Sequence, residues 1–173
     1  MLDILRKRRS IRRYKDEEIG SEIVEQLKEA ALRSPTSRNF KPWRFIFITD
    51  RDKLEALSLA KPSGSGFLKG ALLGVVVCAA ENESDVWIED CSIASILLQL
   101  CGQSLGLGSC WIQIRKRMHS ESQTSEDYVR GLLGLPENMR VESMIAFGYP
   151  DELKEPIPRE ELEYGKIISE GPG

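Results

Sequence analysis

The sequence predicts one α+β domain, a mixed central sheet flanked by helices, ending in an extended carboxyl-terminal arm. Segments with helical apolar spacing alternate with segments of strand character, the order expected of layered α and β structure. Residues 72–80 form a continuous valine-rich apolar run, which suits a strand covered on both faces. From residue 151 onward, Pro156, Pro158 and Pro172 interrupt a stretch with no usable period. At 173 residues with 41% hydrophobic side chains, the chain is of single-domain size and needs no metal or disulfide staple. No repeat or linker divides residues 1–173.

In chain order, Leu2, Ile4, Leu5, Ile11 and Tyr14 interleave a crowd of basic residues, so the start reads as a segment that packs. Ile23, Val24, Leu27, Ala30 and Ala31 then mark one face of a helix, with Ser21 as its expected N-cap and Pro35 beyond its end. Residues 44–49 alternate β-branched and aromatic side chains and read as a strand. Leu54, Leu57 and Ala60 line a short helix, and the glycines and proline of residues 61–66 form a loop expected to border a pocket. After the 72–80 strand, residues 88–105 carry Ile93, Ile96, Leu97, Leu100 and Cys101. Apolar on so much of its circumference, this helix is expected to be the buried spine, with Gly106 as its C-cap. A short strand at 108–112, a helix at 126–133 and a last strand at 141–147 complete the core. Residues 151–173 cannot form a core of their own. Ile157, Leu162, Tyr164, Ile167 and Ile168 would want cover, so an arm lying on a partner is favoured over a frayed end.

Several function classes drop out. The 72–80 run, broken by Gly74, falls well short of the roughly 20 residues a membrane-spanning helix needs. The first residues show no apolar signal core, and a cytoplasmic location is expected. Cys78, Cys91, Cys101 and Cys110 form no C-x-x-C pair and read as structural thiols. His119 is the one histidine, which argues against a histidine-based zinc site or a Ser-His-Asp triad, and no metal is expected. Gly106-Leu107-Gly108 closes a helix where a dinucleotide-binding turn would open one, and no P-loop occurs.

Four segments carry the chemistry: Arg8-Arg9-Ser10-Ile11-Arg12-Arg13-Tyr14, the stretch 34–45 with Pro35, Thr36, Ser37, Asn39 and Pro42-Trp43, Gly106-Leu107-Gly108-Ser109-Cys110-Trp111-Ile112, and Ile145-Ala146-Phe147-Gly148-Tyr149-Pro150. From its residues alone, the first is an anion site, a nucleic-acid-binding tail or a solvated basic face. The second alone reads equally as a helix-terminating turn with its own Asx and Ser hydrogen bonds. Together, and in this order, the four resemble the landmarks of the nitroreductase family of FMN-dependent oxidoreductases, over nearly the whole chain. Phe40-Lys41 departs from the family's usual glutamines.

The resemblance implies a nitroreductase-like fold and an FMN site at the interface of a homodimer, with no nucleic acid and no membrane among its partners. It implies reduction by NADH or NADPH and ping-pong transfer, through flavin N5, to a small molecule such as a nitroaromatic, quinone or enone. Arg8 and Arg9 suit bidentate bonds to the phosphate, with Ser10 as a further donor. Arg12 would reach the N1–O2 edge of the ring, where negative charge develops on reduction. By the same resemblance, Pro35, Thr36, Ser37 and Asn39 reach the flavin of the partner subunit. Trp111, Ile112 and Gln113 lie along the ring and present main-chain amides, and Arg159 completes the phosphate site. No side chain is singled out as catalytic, since the cofactor carries the chemistry. Two other classes stay open: a flavin carrier or sensor without turnover, and a nucleic-acid binder using the basic start.

Overall fold

The computed structural model describes residues 1–171; Pro172 and Gly173, the end of the expected arm, lie outside the described residues. Four strands build one sheet in the order β1-β2-β4-β3: β1 (Trp43–Ile48), β2 (Leu73–Ala80), β3 (Gly108–Gln113) and β4 (Met139–Gly148). Helices flank the sheet as the sequence predicts, but every pairing between these strands is antiparallel where a mixed sheet was expected. β2 is central and every one of its residues is buried. A fully covered Val or Leu contributes roughly 1.5–3 kcal/mol, so this strand anchors the fold. Its side chains alternate between two cores.

On one face α2 (Ser21–Leu32) and α4 (Trp87–Ser104) pack over Val75, Val77, Ile145 and Phe147. On the other, α3 (Arg51–Ser58) and α5 (Ser125–Leu133) cover Val76, Cys78, Met144 and Ala146. Helix α5 is capped at both ends: Thr124 accepts a bond from the Asp127 amide, and Gly134 takes the left-handed conformation. Helix α2 differs from expectation at its start, because Gly20 is the N-cap and Ser21 is already helical, making no cap bond. Gly106 sits one residue past the C-cap Leu105 of α4, at φ +82°, which suits glycine.

Two further departures matter for function. Residues 2–7 form a short helix, α1 (Leu2–Lys7), that ends where the basic run begins. Helix α4 is not buried all round: Cys91, Ala94, Ser95, Leu98 and Gly102 face the core, whereas Ile93 and Ile96 are 41% and 38% exposed. Its second apolar face therefore lacks cover within one protomer. The four cysteines are free, with Cys78, Cys91 and Cys110 buried. Residues 151–171 hold no strand, only two short 3-10 turns, and Leu153, Ile157, Leu162, Tyr164, Ile167 and Ile168 stand exposed.

Candidate functional site

Three of the four segments meet at one end of the sheet. Ser10 bridges Ser109, the Ile11 amide donates to the Ser109 carbonyl at 3.0 Å, and the Lys15 amide donates to the Tyr149 carbonyl at 2.9 Å. The glycines of the third and fourth segments permit this approach. A Cβ on Gly108 would lie 2.8 Å from Ile11 Cβ, and one on Gly148 would lie 2.8 Å from Tyr14 Cδ1. Tyr14 donates its hydroxyl to the Ile11 carbonyl at 2.5 Å, and burial pushes its phenol up, so it remains a neutral donor.

Cations gather on this platform. The Lys154 ammonium donates to the Ser10 carbonyl at 2.5 Å, and the Arg12 guanidinium lies over the Phe67 ring at 5.6 Å. Burial pushes the Cys110 thiol up, while Arg12, the Ser10 hydroxyl, Lys154 and Arg8 pull it down. Glu152 accepts from the amides of Arg12 and Arg13 at 2.5 and 3.3 Å, and these bonds hold its carboxyl below the usual glutamate range. Two further arginines have other partners within the protomer. Arg9 donates to the Glu155 carbonyl and tethers the arm, because side chains alternate along an extended segment and Arg9 faces away from Arg8's side. Arg159 is exposed and donates Nε to the Tyr164 hydroxyl at 3.3 Å; the arm cation that meets Ser10 is Lys154, which sequence reasoning missed.

Strand β3, an edge of the sheet, leads away from the platform. Ser109 directs its carbonyl outward to Ile11 and Ile114 pairs inward with Glu142, so the strand's period of two points the amides of Trp111 and Gln113 outward. The Ile112 side chain is buried in the core, and the same period turns its amide inward to β4. Trp111 Nε1 donates to Gln113 Oε1 at 3.0 Å, and Gln113 Nε2 donates to the Arg115 carbonyl at 3.1 Å, which fixes both side chains. Behind them the bulge residue Glu142 is buried, and desolvation pushes its carboxyl up.

The second segment lies elsewhere. Trp43 pairs with Ala79 at the far end of β2 from Leu73, the residue aligned with Phe147 and Ser109. Six strand residues and three interstrand spacings separate it from Ser10's end, about 20 Å along and about 14 Å across. Thr36, Ser37 and Asn39 therefore do not join Arg8 and Arg12 within one protomer. Their turn is nonetheless held firmly. Arg38, Asn39 and Lys41 all have left-handed φ, 50°, 59° and 53°, at roughly 1–2 kcal/mol each. Buried Asp90 accepts the Ser37 amide at 2.9 Å and the Ser84 hydroxyl at 3.2 Å, and Thr36 Oγ1 accepts the Lys41 amide at 3.0 Å. Asp90, one turn into α4, reads in the sequence only as a favourable first-turn acid, so its clamp was missed.

Comparison with known proteins agrees with this geometry. The family model described as nitroreductase family matches residues 5–64 and 61–149. A protein of Archaeoglobus fulgidus with the provisional name NADH dehydrogenase/NAD(P)H nitroreductase is 37% identical over 158 residues, covering 89% of this chain and 87% of that protein. One of the same provisional name from Methanothermobacter thermautotrophicus is 34% identical over 158 residues, covering 88% and 78%. Among solved structures, an FMN-dependent nitroreductase from Clostridium difficile R20291 superposes with a TM-score of 0.97 at 42% identity, covering 99% of each chain.

Proposed function

The chain belongs to the nitroreductase family, and on that footing we propose that it is an FMN-dependent oxidoreductase. It takes electrons from NADH or NADPH and passes them to a small acceptor such as a nitroaromatic, quinone or enone. The observation that carries this reading is the arrangement around β3. Arg8, Arg12 and Lys154 gather at one end, and the outward amides of Trp111 and Gln113 stand two to four residues further on, a span of up to about 13 Å. A ligand with a phosphate at one end and a flat polar ring at the other fits that donor set.

Arg8 and Lys154 would bind the phosphate, with the Ser10 hydroxyl as a further donor. Arg12, braced on Phe67, places a fixed positive charge where the ring gains electron density on reduction. The Trp111 and Gln113 amides would orient the ring edge without a titrating group. FMN, when bound, supplies the hydride chemistry, and no side chain is required as acid or base.

The site is completed by a second copy of the chain. The turn at Thr36, Ser37 and Asn39 lies too far from its own Arg12 to share one ligand, so it serves the partner's site. The uncovered Ile93 and Ile96 face of α4 supplies a self-complementary contact. The arm beyond Glu155 lies on the partner, where its exposed isoleucines gain cover. No described helix is long and apolar enough to cross a membrane, and four free thiols accord with a cytoplasmic location. The test is spectroscopic: purified protein should show flavin absorbance that bleaches anaerobically with NAD(P)H and returns on adding a nitroaromatic. A colourless protein refutes flavin binding, and a flavin that never bleaches makes the protein a carrier.

A further inference from the structure

Two further cations, Lys61 and Arg117, stand on a pair of loops of which the first leads to Phe67, the ring beneath Arg12. Lys61 belongs to the loop after α3, and Arg117 to the loop between β3 and α5. The two loops are pinned together from both sides. His119 Nδ1 lies 2.8 Å from the Leu59 carbonyl, its ring stacks on Tyr128 at 4.0 Å, and the Tyr128 hydroxyl donates to the Ala56 carbonyl at 2.9 Å. Within the first loop the Lys61 amide donates to Ser65 Oγ at 3.2 Å, and Ser65 donates to the Ser58 carbonyl at 2.7 Å. Within the second, the Arg117 amide donates to the Ile114 carbonyl at 3.1 Å, and its own carbonyl accepts from Ser125 at 2.9 Å. Both cations are thus mounted on braced backbone. The first loop runs on to Phe67, on which Arg12 rests.

Their charges repel where they stand. Burial and the Arg117 guanidinium hold the Lys61 ammonium below its ordinary value. Neither side chain pairs with a carboxylate among the described residues, although many of the chain's surface cations do. Two unpaired cations on braced loops that are pinned to each other match a compact dianion, and a phosphate monoester carries nearly two negative charges at neutral pH.

We propose that Lys61 and Arg117 form a phosphate-binding rim beside the flavin site and take the 2′-phosphate of NADPH, so that the enzyme prefers NADPH to NADH. This rests on the oxidoreductase reading above, which already requires a pyridine nucleotide. Of the two nucleotides, only NADPH carries this extra dianion, whereas the diphosphate is common to both.

The direct test is binding of 2′,5′-ADP and 5′-AMP to the purified holoprotein by calorimetry, for wild type, Lys61→Gln and Arg117→Gln. Wild type should bind 2′,5′-ADP more tightly, and each variant should lose about tenfold, the weight of one charge-assisted bond, with 5′-AMP unaffected. The KM for NADPH should rise by a similar factor while that for NADH stays in place. Equal losses for both nucleotides would assign the rim to the shared diphosphate and overturn the proposal, as would equal binding of the two probes by wild type. Retention of wild-type flavin content and thermal midpoint shows that the variants are folded. A wild type without flavin would defeat the oxidoreductase reading instead, and the two probes would still decide the rim.

Discussion

Replacing Gly108 with alanine tests the physical basis of the platform. The added Cβ would stand 2.8 Å from both Cβ and Cγ2 of Ile11 and 2.9 Å from its Cγ1. Carbon atoms pack at about 3.5–4.0 Å, so the segment must retreat by about 0.7 Å. A rotamer change cannot relieve the clash with Ile11 Cβ, which is held by the backbone bond from its own amide to Ser109. Overpacking of this kind costs about 1–3 kcal/mol, equivalent to about 2–12 °C in melting midpoint for a chain of this length. Ser10 and Arg12 flank Ile11, so the same displacement should weaken FMN binding by about 5- to 150-fold if the full cost falls on the bound state. Gly131→Ala is the control: nothing lies within 4 Å of its Cβ, and mid-helix alanine should stabilise by about 0.5–1 kcal/mol. Thermal melts and flavin-fluorescence titrations read both quantities. If Gly108→Ala matches wild type in both, close approach to Gly108 does not shape the platform.

Arg12→Gln should lower the flavin midpoint potential by roughly 30 mV or more, the two-electron equivalent of about 1.4 kcal/mol, as read by equilibration with a reference dye. Truncation after Pro150 removes Glu152 and Lys154 from the backbone of residues 10–13 along with the arm. Flavin content and sedimentation coefficient should both fall. Glu152 has a folded-state carboxyl below its ordinary value, so its contribution is present above the unfolded value and lost as pH falls through the folded one. Amide exchange at Arg12 and Arg13 should accelerate in that acid window, and Glu152→Gln should abolish the pH dependence.

The strands were legible because covered strands leave an unbroken apolar run, as in β2, and α5 because its caps are chemically explicit. Strand direction was not, since a period of two is the same for parallel and antiparallel pairing. Periodicity showed that α4 is apolar nearly all round, yet it cannot tell a face covered by the same chain from one reserved for another. Ile93 and Ile96 were therefore misread as core. At the candidate site, the strand-like offset between Ser10 and Arg12 was legible, whereas the pairing of Arg9 with the Glu155 carbonyl, 146 residues away, was not. Lys154 and Asp90 were hidden because each depends on a contact across more than fifty residues, Lys154 with Ser10 and Asp90 with Ser37. Nothing in the local sequence marks either one.

The claim that each flavin lies between residues 8–14 of one protomer and residues 36–39 of the other is tested most directly by complementation. One variant would carry Arg8→Ala with Arg12→Ala, the other Ser37→Pro with Asn39→Ala, and each homodimer should purify without flavin. Co-expressed with separable tags, the heterodimer should hold one FMN per two chains, because one of its sites is wholly intact. A heterodimer as empty as its parents would contradict a site shared between subunits.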